Sequence, residues 1–108
     1  MTIFTLKMRV FMNYKNSDIQ LRVIQTIKKL RCERGISQLA LSNIIGVSNG
    51  QVGNIEIPKF SHKYTLKQLY DFCTFVQYPL EKLFLTDEEL KSNDVVKLLI
   101  NKIVEYDK

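Results

Sequence analysis

At 108 residues, with 45% hydrophobic and 25% charged residues, this chain has the length and composition of one small globular domain. Four Gly and two Pro exclude a collagenous or low-complexity chain, and two Cys are too few for a disulfide framework or a four-cysteine zinc site. The formal net charge of +5, carried mainly by residues 19–84, favours an anionic partner such as nucleic acid, an acidic protein or an anionic membrane.

Residues 1–15 form an N-terminal extension with the pattern of a strand. Leu6, Met8 and Val10 alternate with polar side chains, and Lys7 and Arg9 interrupt the apolar run that a signal peptide needs. A single strand is ordered only when it pairs or packs, so we expect this extension to be strand-like or disordered. The apolar stretches of the chain fall short of the roughly 20 residues of a membrane span, so we expect a cytoplasmic protein without a membrane contact.

Helix signals repeat through residues 16–85. Three sequences match a capping box, in which a hydroxyl and an amide side chain satisfy backbone N–H groups at a helix start: Ser17-x-x-Gln20, Ser48-x-x-Gln51 and Thr65-x-x-Gln68. The predicted helices cover residues 18–34, 38–45 and 49–56, and a fourth begins after residue 65. Gly35 and Gly46 are predicted to end the first two of them. The residues predicted to face inward are Leu21, Val23, Ile24, Ile27 and Leu30 in the first helix, and Leu66, Leu69, Phe72, Cys73 and Val76 in the fourth.

The C-terminal fifth of the chain is also helical in pattern. Pro79 suits the first position of a fifth short helix, and residues 94–106 form a last amphipathic helix. Its apolar stripe is predicted to be Val96, Leu99, Ile100 and Ile103. The fold class is therefore all-α: a compact bundle of four to five short helices within residues 16–85, plus an extra C-terminal helix within residues 86–108. Any β-strand belongs to the N-terminal extension.

The second and third predicted helices form a helix-turn-helix. They are short, and the turn between them contains Gly46. Ser42 is small where the two helices approach each other, and Val52 and Ile55 hold the third helix to the core. The opposite face of that helix then projects from the protein, and an α-helix fits the major groove of DNA.

At these residues the chain resembles the Cro/C1-type (xenobiotic-response-element, lambda-repressor-like) family of helix-turn-helix proteins. The resemblance rests on Leu-Arg-x-x-Arg-Gly-Ile-Ser-Gln, Gly-Val-Ser, Ile-Glu and Leu-Glu-Lys-Leu-Phe, in this order, and it covers residues 19–84. It implies a repressor-like transcription regulator that binds operator sites in double-stranded DNA as a homodimer. The sequence holds no nucleophile–base pair and no metal cluster, so we expect no enzyme, cofactor or metal.

The resemblance also implies roles for individual residues. The residues expected to read bases are Asn49, Gly50, Gln51, Gly53 and Asn54. The residues expected to contact phosphate are Gln38, Ser48, Lys59 and Lys63, and Arg31 is expected to pair with Glu56. Asn can bond both N6 and N7 of adenine, and the reading helix carries no Arg, so we expect a site rich in A·T pairs.

Two glycines in the reading helix depart from the family pattern. Gly50 and Gly53 stand where related helices carry longer side chains, and each Gly costs a helix about 1 kcal/mol relative to Ala. Either the helix backbone lies close to DNA, or the helix is degenerate and no longer reads bases. The second alternative suits an antitoxin-like or other protein-interaction module. The acidic tail and an apolar patch at Leu39 and Ile44 also favour this second alternative. A further departure from the family pattern is Gln77, which stands where family members often have Gly.

Overall fold

The computed structural model describes residues 16–57 and 61–108, and these residues form helices and no strand. The helices are α1 Asp18–Glu33, α2 Gln38–Ile45, α3 Gln51–Ile55, α4 Leu66–Val76, a 3₁₀ helix Leu80–Leu83, α5 Asp87–Leu90 and α6 Val95–Asp107. The all-α fold is thus confirmed for the described residues, while the predicted N-terminal strand lies outside them. Of the described helices, none has the length and apolar character to cross a bilayer.

α1 and α4 begin at the capping boxes that the sequence predicts. The Ser17 hydroxyl accepts the Gln20 N–H at 3.3 Å, and the Gln20 side-chain oxygen accepts the Ser17 N–H at 3.0 Å. Thr65 and Gln68 make the same two hydrogen bonds at 3.1 and 3.0 Å. Each box satisfies two backbone donors that would otherwise lack a partner within the helix.

α3 begins later than predicted and has no side-chain cap. The predicted capping box at Ser48 is wrong, because the Gln51 N–H donates to the Ser48 carbonyl oxygen at 3.1 Å and the N-cap residue is Gly50. Gly50 has φ 89°, a left-handed conformation that costs other residues about 1–2 kcal/mol. α3 is therefore five residues long, and Asn49 and Gly50 lie in the turn before it.

A residue in the left-handed conformation follows α2 and α4 directly and follows α1 after Arg34. Gly35 and Gly46 have φ 68° and 73°, as their predicted role at helix ends requires. At the end of α2, the Val47 N–H donates to the Ser42 carbonyl oxygen at 2.9 Å. Gln77 occupies the same position after α4 with φ 57°, although it has a side chain.

One hydrophobic core joins the helices. α2 packs on α3 and α4, whereas α1 packs on the 3₁₀ helix and α6. The predicted inward face of α1 is buried, and so are four of the five predicted residues of α4, with Leu66 partly buried. Leu83, Phe84 and Leu85 close the core around the 3₁₀ helix.

Tyr106 joins the C-terminal helix to this core. Its side chain is fully buried, its hydroxyl donates to the Tyr64 carbonyl oxygen at 2.7 Å, and its ring meets the Phe84 ring edge-on at 5.7 Å. Its carbonyl oxygen accepts hydrogen bonds from Gln20 Nε2 at 2.6 Å and Lys63 Nζ at 3.0 Å. The C-terminal extension therefore packs as part of the helical bundle.

The predicted apolar stripe of α6 is only half right. Leu99 and Ile103 pack against the core, together with Leu98. Val96 and Ile100, predicted to lie on the same face, are 68% and 55% exposed. The helix has more apolar residues than one buried face can hold, and packing against α1 selected the face that ends at the buried Tyr106.

Candidate nucleic-acid interface

The candidate interface is built on α2, the turn at Gly46 and α3. Leu41 and Ser42 on α2 are buried, as are Val52 and Ile55 on α3. The small Ser42 side chain lets the two helices approach, and its hydroxyl is satisfied by the carbonyl oxygen one turn earlier in α2 at 2.9 Å. α3 is thus held to the core along one side, and its other side faces outward.

The five predicted base-reading residues lie along this outward surface, but only three of them are on α3. The prediction that Asn49 and Gly50 belong to the reading helix is wrong, because both are exposed in the preceding turn. Gln51 and Gly53 are half-buried on α3, whereas Asn54 is exposed. Asn54 is therefore the most exposed residue of α3.

Gln38 lies across α3 rather than away from it. Its Nε2 donates to Glu56 Oε1 at 2.9 Å. A Cβ placed on Gly53 would come within 3.4 Å of Gln38 Oε1, so the amide lies beside the Gly53 backbone. An amide nitrogen has two protons, and the bond to Glu56 leaves the second available for a phosphate. The predicted phosphate contact is therefore compatible with this hydrogen bond.

Arg31 and Glu56 form the pair that the resemblance implies. Arg31 Nε donates to Glu56 Oε2 at 2.9 Å and Nη2 donates to Oε1 at 3.0 Å, while Nη1 bonds the Ile36 carbonyl oxygen. The side chains are only 10% and 4% exposed. The hydrogen bond to Glu56 raises the pKa of Arg31 against the opposing effect of burial. The pair ties the end of α1 to the residue that follows α3.

Two basic residues, Arg34 and Lys63, bind helix carbonyls. Arg34 Nη1 donates to the Val76 carbonyl oxygen at 2.7 Å, at the end of α4, and Lys63 Nζ reaches the Tyr106 carbonyl oxygen near the end of α6. A cation near a helix C-terminus is favoured by the helix dipole. The Lys63 ammonium is therefore engaged with α6 through one of its three donor protons, and its contact with phosphate stays a prediction. Lys59 lies outside the described residues.

The remaining predicted phosphate contact, Ser48, is exposed in the turn between α2 and α3. Two further basic residues, Lys28 and Lys29, are exposed on α1. The predicted apolar patch is reduced to Leu39, which is 54% exposed, because Ile44 packs against the core.

Sequence reasoning missed three contacts between residues far apart in the sequence. The Gln38–Glu56 hydrogen bond and the carbonyl contacts of Arg34 and Lys63 join residues at least 18 positions apart. The pattern of residues along the sequence does not predict such contacts. Once the fold is known, a basic residue can be matched with a helix end that is distant in sequence.

No family model, curated protein or solved structure matches this chain. Within residues 16–57 and 61–108, no group of three or more His, Cys, Asp or Glu side chains is arranged to hold a metal ion. The candidate interface thus rests on its own geometry: a short helix-turn-helix with a buried side, a polar outward side and an ion pair that fixes its end.

Proposed function

We propose that this protein is a sequence-specific, repressor-like transcriptional regulator that binds an operator in double-stranded DNA as a homodimer in the cytoplasm. The observation that carries the proposal is the α2–turn–α3 unit, in which Val52 and Ile55 hold α3 to the core while Asn54 faces outward. Related helix-turn-helix proteins lay the second helix of this unit in the major groove. The proposal includes membership of the Cro/C1-type family.

Base reading is assigned chiefly to Asn54, with contributions from Asn49 in the turn before α3 and from Gln51, the first residue of α3. An Asn side chain can donate to N7 and accept from N6 of adenine, so an operator rich in A·T pairs is expected. Gly50 and Gly53 have no side chain, so the backbone at these two positions can approach base edges closely. The chemistry of the reading surface is therefore neutral and polar.

Phosphate contacts supply affinity without sequence information. Gln38 is the first residue of α2, where the helix dipole favours an anion, and Ser48 lies in the exposed turn before α3. Lys28 and Lys29 on α1 and Lys59 are further candidates, whereas Lys63 is engaged with Tyr106. Among these residues, Gln38 is the proposed phosphate ligand whose removal should weaken binding to all DNA sequences equally.

A dimer follows from the small size of the reading surface. One α3 offers few base contacts, and related dimers gain specificity by binding two half-sites about one helical turn apart. An operator with partial two-fold symmetry is therefore expected.

The test is selection of DNA ligands by the purified chain, followed by binding measurements over a range of salt concentrations. A DNA reader enriches a short, partly symmetric motif, and its affinity falls steeply with salt because phosphate-bound counterions are released. Weak, uniform binding to all sequences would refute the proposal.

Substitution of the reading residue sharpens this test. Asn54→Ala should relax the preference at one base position and weaken operator binding by about 1–3 kcal/mol. The matched control is Gln25→Ala, which removes an exposed amide from α1 instead of α3 and should leave the selected motif unchanged. If Asn54→Ala weakened binding to all DNA sequences equally, Asn54 would instead be assigned to phosphate binding.

An antitoxin-like or other protein-interaction module is the second candidate. The observation that favours it is the length of α3, five residues without a side-chain cap, because a helix this short presents little surface to bases. It predicts that no DNA motif is enriched and that the chain forms a stable complex with a protein encoded beside it.

A further inference from the structure

Gln38 is exposed at the start of α2, yet neighbouring groups define the orientation of its amide. Its Nε2 donates to Glu56 Oε1 at 2.9 Å. A carboxylate only accepts hydrogen bonds, so the nitrogen of the amide must be the end that faces Glu56. The oxygen lies beside Gly53, where a Cβ would come within 3.4 Å of it. The Gln38 amide therefore lies across α3 with its two ends distinguished.

Glu56 can hold this amide without repelling DNA. A free carboxylate beside a phosphate would be unfavourable, because both groups are negative. The Glu56 carboxylate is paired with the Arg31 guanidinium through two hydrogen bonds, and the Glu56 side chain is only 4% exposed. The pair has no net charge, so it orients Gln38 without placing a free negative charge next to it.

We infer that Glu56 is a positioning residue for DNA binding: it holds the Gln38 amide in the orientation in which the second N–H of Nε2 donates to a phosphate. The first N–H is engaged with Glu56, so the second is the donor that remains for DNA. The inference rests on the proposed function, and it gives a role in binding to a side chain that itself contacts only α1 and α2.

The expected gain in affinity comes from order that exists before DNA binds. A Gln side chain that moves freely loses rotamer freedom when it contacts a phosphate, and this loss weakens binding. In this protein the hydrogen bond to Glu56 already restricts Gln38 in the free chain. Removal of the carboxylate should therefore weaken binding to every DNA sequence by roughly threefold to tenfold for each half-site.

The first experiment removes the Glu56 carboxylate without leaving a buried charge. Arg31→Met with Glu56→Leu replaces the ion pair by apolar side chains, a change that buried pairs often tolerate. Gln38→Met, which removes the amide, should weaken operator binding of the wild-type chain by about tenfold or more. In the double variant the same change should weaken binding by a smaller factor, because the amide has already lost its orientation. Equal factors in the two backgrounds would overturn the inference.

Two further readouts separate positioning from a general effect on the fold. Lys28→Ala is the matched control, because Lys28 is exposed on α1 and is not among the side chains that bond Glu56, so its effect on binding should be the same in both backgrounds. The double variant should also select the same DNA motif as the wild-type chain. A changed motif would mean that α3 has moved, and it would overturn the inference that Glu56 acts through Gln38.

The orientation of the amide can be tested without any substitution. Nitrogen-15 relaxation of side-chain amides in the free, wild-type chain should show that the Gln38 amide is more ordered than that of Gln25, which is exposed on α1. A Gln38 amide as mobile as that of Gln25 would overturn the inference, whether or not the double variant folds.

Selection of DNA ligands distinguishes failure of this inference from failure of the proposed function. If the wild-type chain enriches no motif, the proposed function fails, and the role of Glu56 in DNA binding fails with it. If a motif is enriched but Gln38→Met weakens binding by the same factor with and without the Glu56 carboxylate, only the role of Glu56 is refuted.

Discussion

Arg31 and Glu56, on α1 and immediately after α3, are joined by two nearly parallel hydrogen bonds of 2.9 and 3.0 Å. The same carboxylate accepts a hydrogen bond from the Gln38 amide, so one acidic side chain bonds both α1 and the start of α2. Glu56 therefore adds to the packing of Val52 and Ile55 in fixing the position of α3.

Glu56→Ala should lower the free energy of unfolding by about 3 kcal/mol, because it leaves the Arg31 charge buried without its partner. Urea denaturation measures the change. Replacement of both partners, Arg31→Met with Glu56→Leu, should cost less than Glu56→Ala alone, since no buried charge remains.

The exposed pair of Lys67 and Asp71 provides the control. It has a similar separation, 2.8 Å, but its side chains are 82% and 31% exposed. Asp71→Ala should therefore change the unfolding free energy by no more than about 0.5 kcal/mol. Equal losses of unfolding free energy for Glu56→Ala and Asp71→Ala would contradict the argument that burial makes the Arg31–Glu56 pair costlier to break.

Loss of the hydroxyl should change the unfolding free energy differently at the two buried tyrosines. Tyr106→Phe removes a hydrogen bond to the Tyr64 carbonyl oxygen and should lower the unfolding free energy by about 1–2 kcal/mol. The Tyr64 hydroxyl is buried without a hydrogen-bond partner among the described residues, so Tyr64→Phe should be neutral or stabilising. Thermal or urea unfolding of the two variants checks this, and a loss from Tyr64→Phe as large as that from Tyr106→Phe would contradict it.

Gln77→Gly should raise the unfolding free energy by about 1 kcal/mol. Gln77 has φ 57°, where a side chain costs roughly this amount and Gly does not. The reverse change at a matched position, Gly46→Ala, should destabilise, because φ there is 73° even though a Cβ would meet no atom within 4 Å. The urea midpoints of the two variants should move in opposite directions; a shared direction would rule out backbone conformation as the cause.

Gly53→Ala should separate folding from DNA binding. Gly53 lies within α3, so Ala should raise the unfolding free energy by about 0.5–1 kcal/mol, with its Cβ in ordinary contact with Gln38. If the α3 backbone approaches base edges, the added methyl group should weaken operator binding by more than tenfold despite the gain in stability. Unchanged affinity would favour the view that the glycines are not needed for reading DNA.

The two thiols should differ in reactivity and in their effect on stability at high pH. Burial raises the pKa of Cys73 from about 9 to about 11, whereas Cys32 is exposed. A disulfide reagent should therefore modify Cys32 quickly and Cys73 only on unfolding.

The direction in which stability changes with pH follows from the raised pKa of Cys73. Above about pH 9 the unfolded state loses the Cys73 proton while the folded state keeps it, so stability falls as pH rises towards 11. Cys73→Ala should reduce this slope. Rapid modification of both thiols in the folded chain would contradict the burial of Cys73.

Local features of the chain were predictable because they depend on neighbours in sequence. The capping boxes at Ser17 and Thr65 involve residues three positions apart, and the buried face of α1 follows from the helical repeat. The turn at Gly46 follows from the freedom of Gly to adopt a positive φ. These signals placed a helix-turn-helix within an all-α fold.

Tertiary contacts decided the features in which local preferences compete. Ser48 and Gly50 both offer a start for α3, and the packing of Val52 and Ile55 accompanies the start at Gly50. α6 has apolar residues on two faces, and the fit of Tyr106 against the core determined which face is buried. Lys63 was drawn to a helix carbonyl 43 positions away, because a cation near a helix C-terminus is stabilised wherever the fold brings the two together.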